Sequence, residues 1–316
     1  MYRGGGVRLH SQAREQRTSA VDVAVLARQV RSSSGTALQI EGTGTELEEI
    51  EIRLLLEGIR LCYGYDFREY ALSPLRRGLV SAMSREGVRT VSAYQDRILH
   101  DAACMQRFLN MVGVNVTGMF RDPELIRAIR EDVLPLLRTY PSSRIWIAGC
   151  ATGEEVYSVA IVLEEEGLLD RTSLYATDIN EDMLAVARLG TYPLERMRRY
   201  EESYELAGGR RSLAGHYTVT GRSARLNRRL QSSITWAHHN LVSDGSFNDF
   251  HMILCANVLI YFRASLQERA HRLFYDSLVR GGFMALGKRE SLLYCPDRDH
   301  YEQVRDGVSL YRKMRW

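Results

Sequence analysis

From Glu46 onward, Leu47, Ile50, Leu54, Leu55, Ile59 and Leu61 recur at the interval that lines one face of a helix. Similar spacing over residues 74–86 and 90–110 predicts further helices, so residues 46–112 read as a small helical domain. After residue 112 short apolar runs alternate with helical stretches, beginning with Arg144-Ile145-Trp146-Ile147-Ala148-Gly149 and a helix from Glu154. Residues 174–177, 234–237, 252–255 and 282–286 are further strand candidates, and residues 266–279 read as a helix between the last two. That alternation predicts an α/β fold over residues 113–316, a Rossmann-like doubly wound sheet. Residues 192–230 interrupt it with a polar stretch longer than an ordinary connection, which predicts a small inserted subdomain. Residues 1–45, with Gly4-Gly5-Gly6, Ser32-Ser33-Ser34-Gly35 and one short apolar patch at 21–26, read as a disordered tail.

Composition narrows the class. With 45% hydrophobic and 26% charged residues the chain has the make-up of a globular protein. The 42 basic and 39 acidic residues leave a net charge of +3, too balanced for a chain whose business is neutralising nucleic-acid phosphates. The five cysteines are odd in number and widely spaced, without a C-x-x-C pair, which favours the cytoplasm over a disulfide framework. No apolar run approaches the ~20 residues of a membrane span, and the N-terminus lacks the apolar core of a signal peptide. Membrane insertion is not expected.

The candidate chemistry begins where the first strand ends. Gly149-x-x-x-Gly153 leads into a helix opening with Glu154 and Glu155, and two glycines let a ligand approach the backbone at the carboxyl edge of the sheet. The third glycine of a dinucleotide fingerprint is missing, and two acids at the helix start would repel a pyrophosphate. A ligand without phosphates, such as adenosine carrying a sulfonium, fits better. Asp178 follows the second strand candidate, where a carboxylate can accept hydrogen bonds from both ribose hydroxyls. Both features also admit a purely structural use, with Asp178 capping the helix at 181–188 and Thr152 with Glu155 forming a capping box. The paired His238 and His239 lack the carboxylate and third ligand of a zinc site, so no metal is implied.

The residues resemble those of the CheR-type chemotaxis receptor methyltransferases, which transfer methyl from S-adenosylmethionine (SAM) to receptor glutamates. Asn115-Val116-Thr117-Gly118-Met119-Phe120-Arg121-Asp122 is similar to that family's linker motif N-x-T-x-F-F-R-[DE], and residues 146–158 are similar to its SAM loop. Ala176-Thr177-Asp178-Ile179, His239-Asn240-Leu241 and Cys255-Ala256-Asn257-Val258-Leu259-Ile260-Tyr261-Phe262 follow in order. The resemblance runs from about residue 46 to the C-terminus, with no counterpart for the first 45 residues.

The resemblance implies a role for each matching position. Asn115, Thr117 and Arg121 would line the SAM pocket, together with Gly149 and Gly153 of the loop. Glu155 and Asp178 would hold polar parts of the cofactor, Asn240 and Leu241 would flank the adenine, and Ala256 and Asn257 would complete the site. Arg121 and Tyr261 would stand nearest the methyl donor as the catalytic pair, and Arg is suited to gripping a carboxylate through two parallel hydrogen bonds. The product would be S-adenosylhomocysteine, and the partner a methyl-accepting chemoreceptor, met peripherally at the membrane.

Departures from the family pattern matter as much. Ala256 stands where the family has Arg, His251 where it has an acid, Met119 where it has Phe, and Arg289 where it has a small Ser. Loss of the Arg at 256 removes donors, so the cofactor is held differently or another Arg has moved in; a SAM-binding signalling module without turnover stays open as an alternative, as does a different protein substrate. Residues 60–107 hold eight Arg (60, 68, 76, 77, 85, 89, 97 and 107) against five acids, a local excess that would attract acidic receptor helices or simply form a solvated face. By the same resemblance the insertion could dock a receptor peptide by strand addition.

Overall fold

The computed structural model describes residues 44–112 and 117–314. The tail expected over residues 1–45 therefore lies almost wholly outside the described residues, and the first helix, α1 (Gly44–Tyr63), already takes in Gly44 and Thr45. It is followed by α2 (Leu72–Glu86), α3 (Val91–His100) and α4 (Ala102–Val112). The one long pattern expected over residues 90–110 is two helices. Asp101 breaks it in an extended conformation, φ −128° and ψ 102°, and its carboxylate accepts from the amide of Ala103 at 2.9 Å. Leu55, Ile59, Phe67, Leu79, Tyr94, Ile98 and Phe108 bury together as the core of this helical region.

The α/β region is built on a seven-stranded sheet in the order β6-β2-β1-β7-β8-β10-β9. Its strands are β1 (Ser143–Ala148), β2 (Thr172–Asp178), β6 (Ile234–His238), β7 (Phe250–Cys255), β8 (Leu278–Leu286), β9 (Tyr301–Gln303) and β10 (Leu310–Lys313). The first five are mutually parallel, whereas β10 and β9 run antiparallel at one edge. The chain winds outward on both sides of β1, so the crevice between the carboxyl ends of β1 and β7 is the point where strand order reverses. Helices α7 (Glu154–Glu165), α8 (Glu181–Leu189) and α11 (Ala264–Ser277) connect the parallel strands. The last ends short of the expected residue 279 because Leu278 already pairs with Phe250 as the first residue of β8. Side chains on the two faces of the sheet form two cores, one around Ile145, Ile147 and Leu254, the other around Trp146, Ile253 and Phe274.

Ahead of the sheet, Asp122 caps α5 (Pro123–Ala128) by accepting from the amide of Leu125 at 3.3 Å, with Pro123 in the first turn. A π-helical turn at Ile129–Val133 carries the chain into α6 (Leu134–Leu137). The interruption expected at residues 192–230 is a three-stranded antiparallel sheet, β3 (Thr191–Pro193), β4 (Tyr217–Thr220) and β5 (Ser223–Leu226) in the order β3-β5-β4. It also holds α9 (Leu194–Leu206) and α10 (Arg228–Ser232).

A buried charge network ties this insertion to the end of α7. Arg130 of the π-turn reaches Glu165 at 2.6 Å and Glu166 at 3.0 Å, His216 reaches Glu164 at 3.0 Å, and the Tyr204 hydroxyl donates to Glu165. Against the upward push of burial, hydrogen bonds from His216, Tyr204 and Arg130 hold the Glu165 carboxyl at about 2. Burial works against a charge on His216, but Glu165 and Glu164 outweigh it and raise its pKa.

Candidate functional site

The cofactor loop is set by close packing at the end of β1. The amides of Gly149 and Cys150 both donate to the Thr177 carbonyl, at 2.8 and 2.9 Å, which holds the loop against the tip of β2. Gly149 (φ 71°) and Gly153 (φ 87°) take left-handed conformations. A Cβ on Gly149 would stand 2.3 Å from Val258, and one on Gly153 would stand 2.9 Å from Ala187. Packing therefore explains Gly153, whereas Gly149 also borders an open cleft.

The half-buried Asp178 points one carboxylate oxygen at the Ala151 amide (2.8 Å) and the other at the Asn180 amide (2.9 Å). Burial raises its pKa against the pull of those two donors. Asp178 does not cap α8, because Asn180 does so by accepting from the Asp182 amide at 3.0 Å. Nor is there a capping box at α7: Gly153 is the N-cap, and the Thr152 hydroxyl donates to Glu154 at 2.6 Å. Each Asp178 oxygen keeps a lone pair for a ligand.

Two cavities meet at the sheet's carboxyl edge. The first holds about 890 Å³ of open space and is bordered by Gly149, Asp178, Asn240, Leu241, Asn257 and Tyr261, with Phe67, Tyr70 and Leu109 of the helical region closing it. Its described lining contains one carboxylate and no Arg or Lys, the wrong wall for a phosphate and a suitable one for an apolar ring system with a cationic end. The second holds about 1600 Å³, and its wall includes Arg121, Arg127, Lys288 and Arg289 together with Glu155 and Ala256. Asn257 and Tyr261 belong to both.

The candidate residues are thus divided. Gly149, Asp178, Asn240, Leu241 and Asn257 come together around the first cavity, while Arg121, Glu155 and Ala256 stand around the second. Ala256 was expected beside the cofactor; the cavity it lines instead has Arg289 in its wall. Thr117 is half-buried and in neither lining, and Asn115 lies outside the described residues. Burial, aided by nearby Glu290 and opposed by Arg121, pushes the Glu155 carboxyl up to about 7. His239 packs edge-on against Trp146 and faces the Gly245 carbonyl through Nε2, a packing role.

Three non-glycine residues among those described have positive φ: Phe120 (53°), Ala151 (45°) and Asn257 (63°). Ala151 and Asn257 line the cavities. Phe120 precedes Arg121 and is pinned by its amide to the Ser158 hydroxyl at 2.9 Å, Ala151 is in the cofactor loop, and Asn257 stands at the junction. Strained backbone held by packing and hydrogen bonds is a mark of a preorganised site. The loop after Asn257 is gripped from the helical region as well: the Ala71 amide donates to the Tyr261 carbonyl at 2.7 Å, and the Arg263 amide to the Glu69 carbonyl at 2.9 Å.

One residue went unread in the sequence. Glu290 is buried, and its carboxylate accepts from the amides of Asn257 (2.8 Å), Val258 (2.8 Å), Leu259 (2.7 Å), Ile260 (3.4 Å) and Gly287 (2.9 Å). Its signal in the sequence is an acid shortly after an apolar strand, behind Gly287, Lys288 and Arg289.

Two family models match the chain, a CheR methyltransferase SAM binding domain over residues 115–307 and a CheR methyltransferase all-alpha domain over residues 50–112. The chain belongs to the CheR methyltransferase family. A putative methyltransferase Cher3 of Pseudomonas putida is 46% identical over 265 residues, covering 84% of this chain and 97% of the relative. A chemotaxis protein methyltransferase of Listeria monocytogenes is 29% identical over 236 residues, 74% of this chain and 87% of the relative. Chemotaxis protein methyltransferase 1 of Pseudomonas aeruginosa is 28% identical over 245 residues, 70% of this chain and 82% of the relative. As a CheR methyltransferase the chain has a SAM-binding domain, and the first cavity's acidic tip and described lining without Arg or Lys suit that ligand. No helix among the described residues is long and apolar enough to cross a membrane.

Proposed function

We propose that this SAM-dependent methyltransferase esterifies glutamate side chains on the cytoplasmic helices of chemoreceptors. The observation that carries the proposal is the junction at Asn257 and Tyr261, where a cleft whose described lining has no Arg or Lys meets a cavity whose wall holds Arg121, Arg127, Lys288 and Arg289 against Asp122, Glu124 and Glu155. A cation suits the first; in the second, a carboxylate suits the Arg side of the wall and a cationic amino group suits Glu155. The relatives named chemotaxis protein methyltransferase support a chemoreceptor as the owner of that carboxylate. The eight Arg of residues 60–107 support it less than composition suggested, because Arg60, Arg68, Arg97 and Arg107 are tied into ion pairs with neighbouring acids.

In this assignment Asp178 would accept from the ribose hydroxyls, Asn240 and Leu241 would flank the adenine, and Glu155 would hold the amino end of the cofactor. When bound, SAM supplies a methyl group made electrophilic by its positively charged sulfur. A glutamate is ionised at neutral pH, with an ordinary pKa of ~4.3, so no general base is needed. The work of the chain is alignment: Arg121 grips the acceptor carboxylate, and Tyr261 adds a polar contact at the junction. Well-oriented reactants can gain roughly 7–11 kcal/mol in this way. Arg289 lies in the same wall as Ala256 and can supply donors that Ala256 lacks, which favours turnover over a silent binding module. The proposed division is a helical domain at 46–112 and a methyltransferase domain at 113–316 with its insertion at 192–230.

Labelled SAM incubated with a cognate receptor tests the reaction. Base-labile methyl on receptor glutamates is the expected result; base-stable label, or label on RNA or a small molecule, would reassign the enzyme.

A further inference from the structure

We infer that Glu290 is a positioning residue that sets the loop from Ala256 to Phe262 before any ligand arrives. Four successive amides, those of residues 257–260, turn inward on one carboxylate, an arrangement that elsewhere forms a binding nest for an external anion. Here the anion is the protein's own. Oε1 takes the amides of Val258, Leu259 and Ile260, and Oε2 those of Asn257 and Gly287. The Oε2 contact fixes the residue whose φ of 63° places its side chain between the two cavities.

Gly287 is an independent sign that this approach is built in. A Cβ there would stand 2.7 Å from Oε2 of Glu290 and 3.0 Å from the Asn257 amide nitrogen, so only glycine admits the carboxylate this close. The segment that supplies Glu290 also supplies Lys288 and Arg289 to the acceptor-side wall. One short turn therefore contributes charge to one cavity and backbone order to both. Nothing in Glu290 touches the reacting atoms; it acts through Asn257 and Tyr261.

The inference rests on the methyl-transfer reading only in naming SAM and its product as ligands. Glu290→Gln preserves shape but presents an NH₂ to whichever set of amides loses its oxygen, so at least one set is left unpaired. Gly287→Ala keeps the carboxylate and drives it away from Asn257. Both variants should bind S-adenosylhomocysteine roughly tenfold more weakly by calorimetry, the scale of losing charge-assisted hydrogen bonds. Both should also speed hydrogen exchange in the peptide covering residues 256–262 well beyond the rest of the sheet. Glu165→Gln, which opens a buried carboxylate site remote from the loop, should lower the melting temperature and leave that affinity unchanged. If the Gln variant does not fold, wild-type protein without ligand decides: slow exchange of residues 257–260 is expected, and fast exchange overturns preorganisation. Unchanged affinity in a folded Glu290→Gln protein would overturn the inference too, whereas failure of the wild type to bind would sink the cofactor assignment instead.

Discussion

Helix α7 carries adjacent glutamates at both ends, and its two ends treat them in opposite ways. At the amino end Glu154 and Glu155 are raised, Glu155 to about 7, chiefly because burial strips water from them, an effect that Arg196 and Arg121 offset only in part. The Arg nearest Glu154 is Arg196, 3.8 Å away, and one Glu154 oxygen has no hydrogen-bond partner. At the carboxyl end the Glu165 side chain is only 4% exposed, yet its carboxyl is held at about 2 by His216, Tyr204 and Arg130. The helix dipole predicts the reverse order, since it favours anions at the amino end and disfavours them at the carboxyl end. Its contribution of about 0.3–1 kcal/mol is smaller than the effect of three hydrogen-bond partners on a buried carboxylate. The partners decide, and of the two raised carboxylates Glu155 borders a cavity.

Acid should break the paired end first. Glu165 has a folded pKa below its ordinary ~4.3, so its stabilisation is present above that value and is lost as pH falls toward 2, up to about 3 kcal/mol. His216, raised above its ordinary ~6.5, stabilises below that value and loses its contribution as pH rises through its folded pKa. The network's own contribution, read as the difference in melting temperature between wild type and Glu165→Gln, should therefore fall on both sides of a plateau near pH 5–6.5. Glu165→Gln should flatten the acid limb; an unchanged acid limb would mean that the network is not ionised as described. Glu155 contributes with the opposite sign, favouring the folded state less as pH rises from ~4.3 to ~7.

At the other end the expected losses are functional. Arg121→Lys exchanges a planar fork for a point charge and should lower turnover more than roughly tenfold at saturating SAM, with little change in melting temperature. Full turnover would remove Arg121 from the positioning role. Tyr261→Phe, which deletes one hydroxyl at the junction, should give a smaller loss. Asp178→Ala should weaken SAM binding by roughly tenfold in calorimetry, on the scale of a lost charge-assisted hydrogen bond, and undiminished affinity would disprove the ribose assignment.

The ends of α7 also differ in how far the sequence discloses them. The amino end is legible because a strand, two glycines and a pair of acids fall within one short stretch, and the same holds for Asp178 after β2. The carboxyl end joins Glu165 to Arg130 and His216, residues far apart in the chain that meet only once the insertion folds back on the core. Glu290 escaped for the same reason, since its meaning lies in the direction of amides some 30 residues earlier. The edge strands β9 and β10 are three and four residues long, too short for a periodic pattern. Asp101, by contrast, shows that a local residue can be visible and still be overruled by a helical pattern read across it. The split into two cavities was invisible because neighbours in sequence differ in what they line, Ala256 the second alone and Asn257 both.

The claim that the under-partnered end of α7 serves the cofactor can be measured through protons. Calorimetric titration of SAM at pH 7 in buffers of different ionisation enthalpy reports protons exchanged on binding. A carboxyl poised at about 7 is half protonated there, and a cation placed against it drives the proton off. The account predicts release of up to about half a proton per SAM bound, affinity rising between pH 6 and 8, and loss of both effects in Glu155→Gln. Tight binding with no proton release in the wild type, or release that persists in Glu155→Gln, would contradict it.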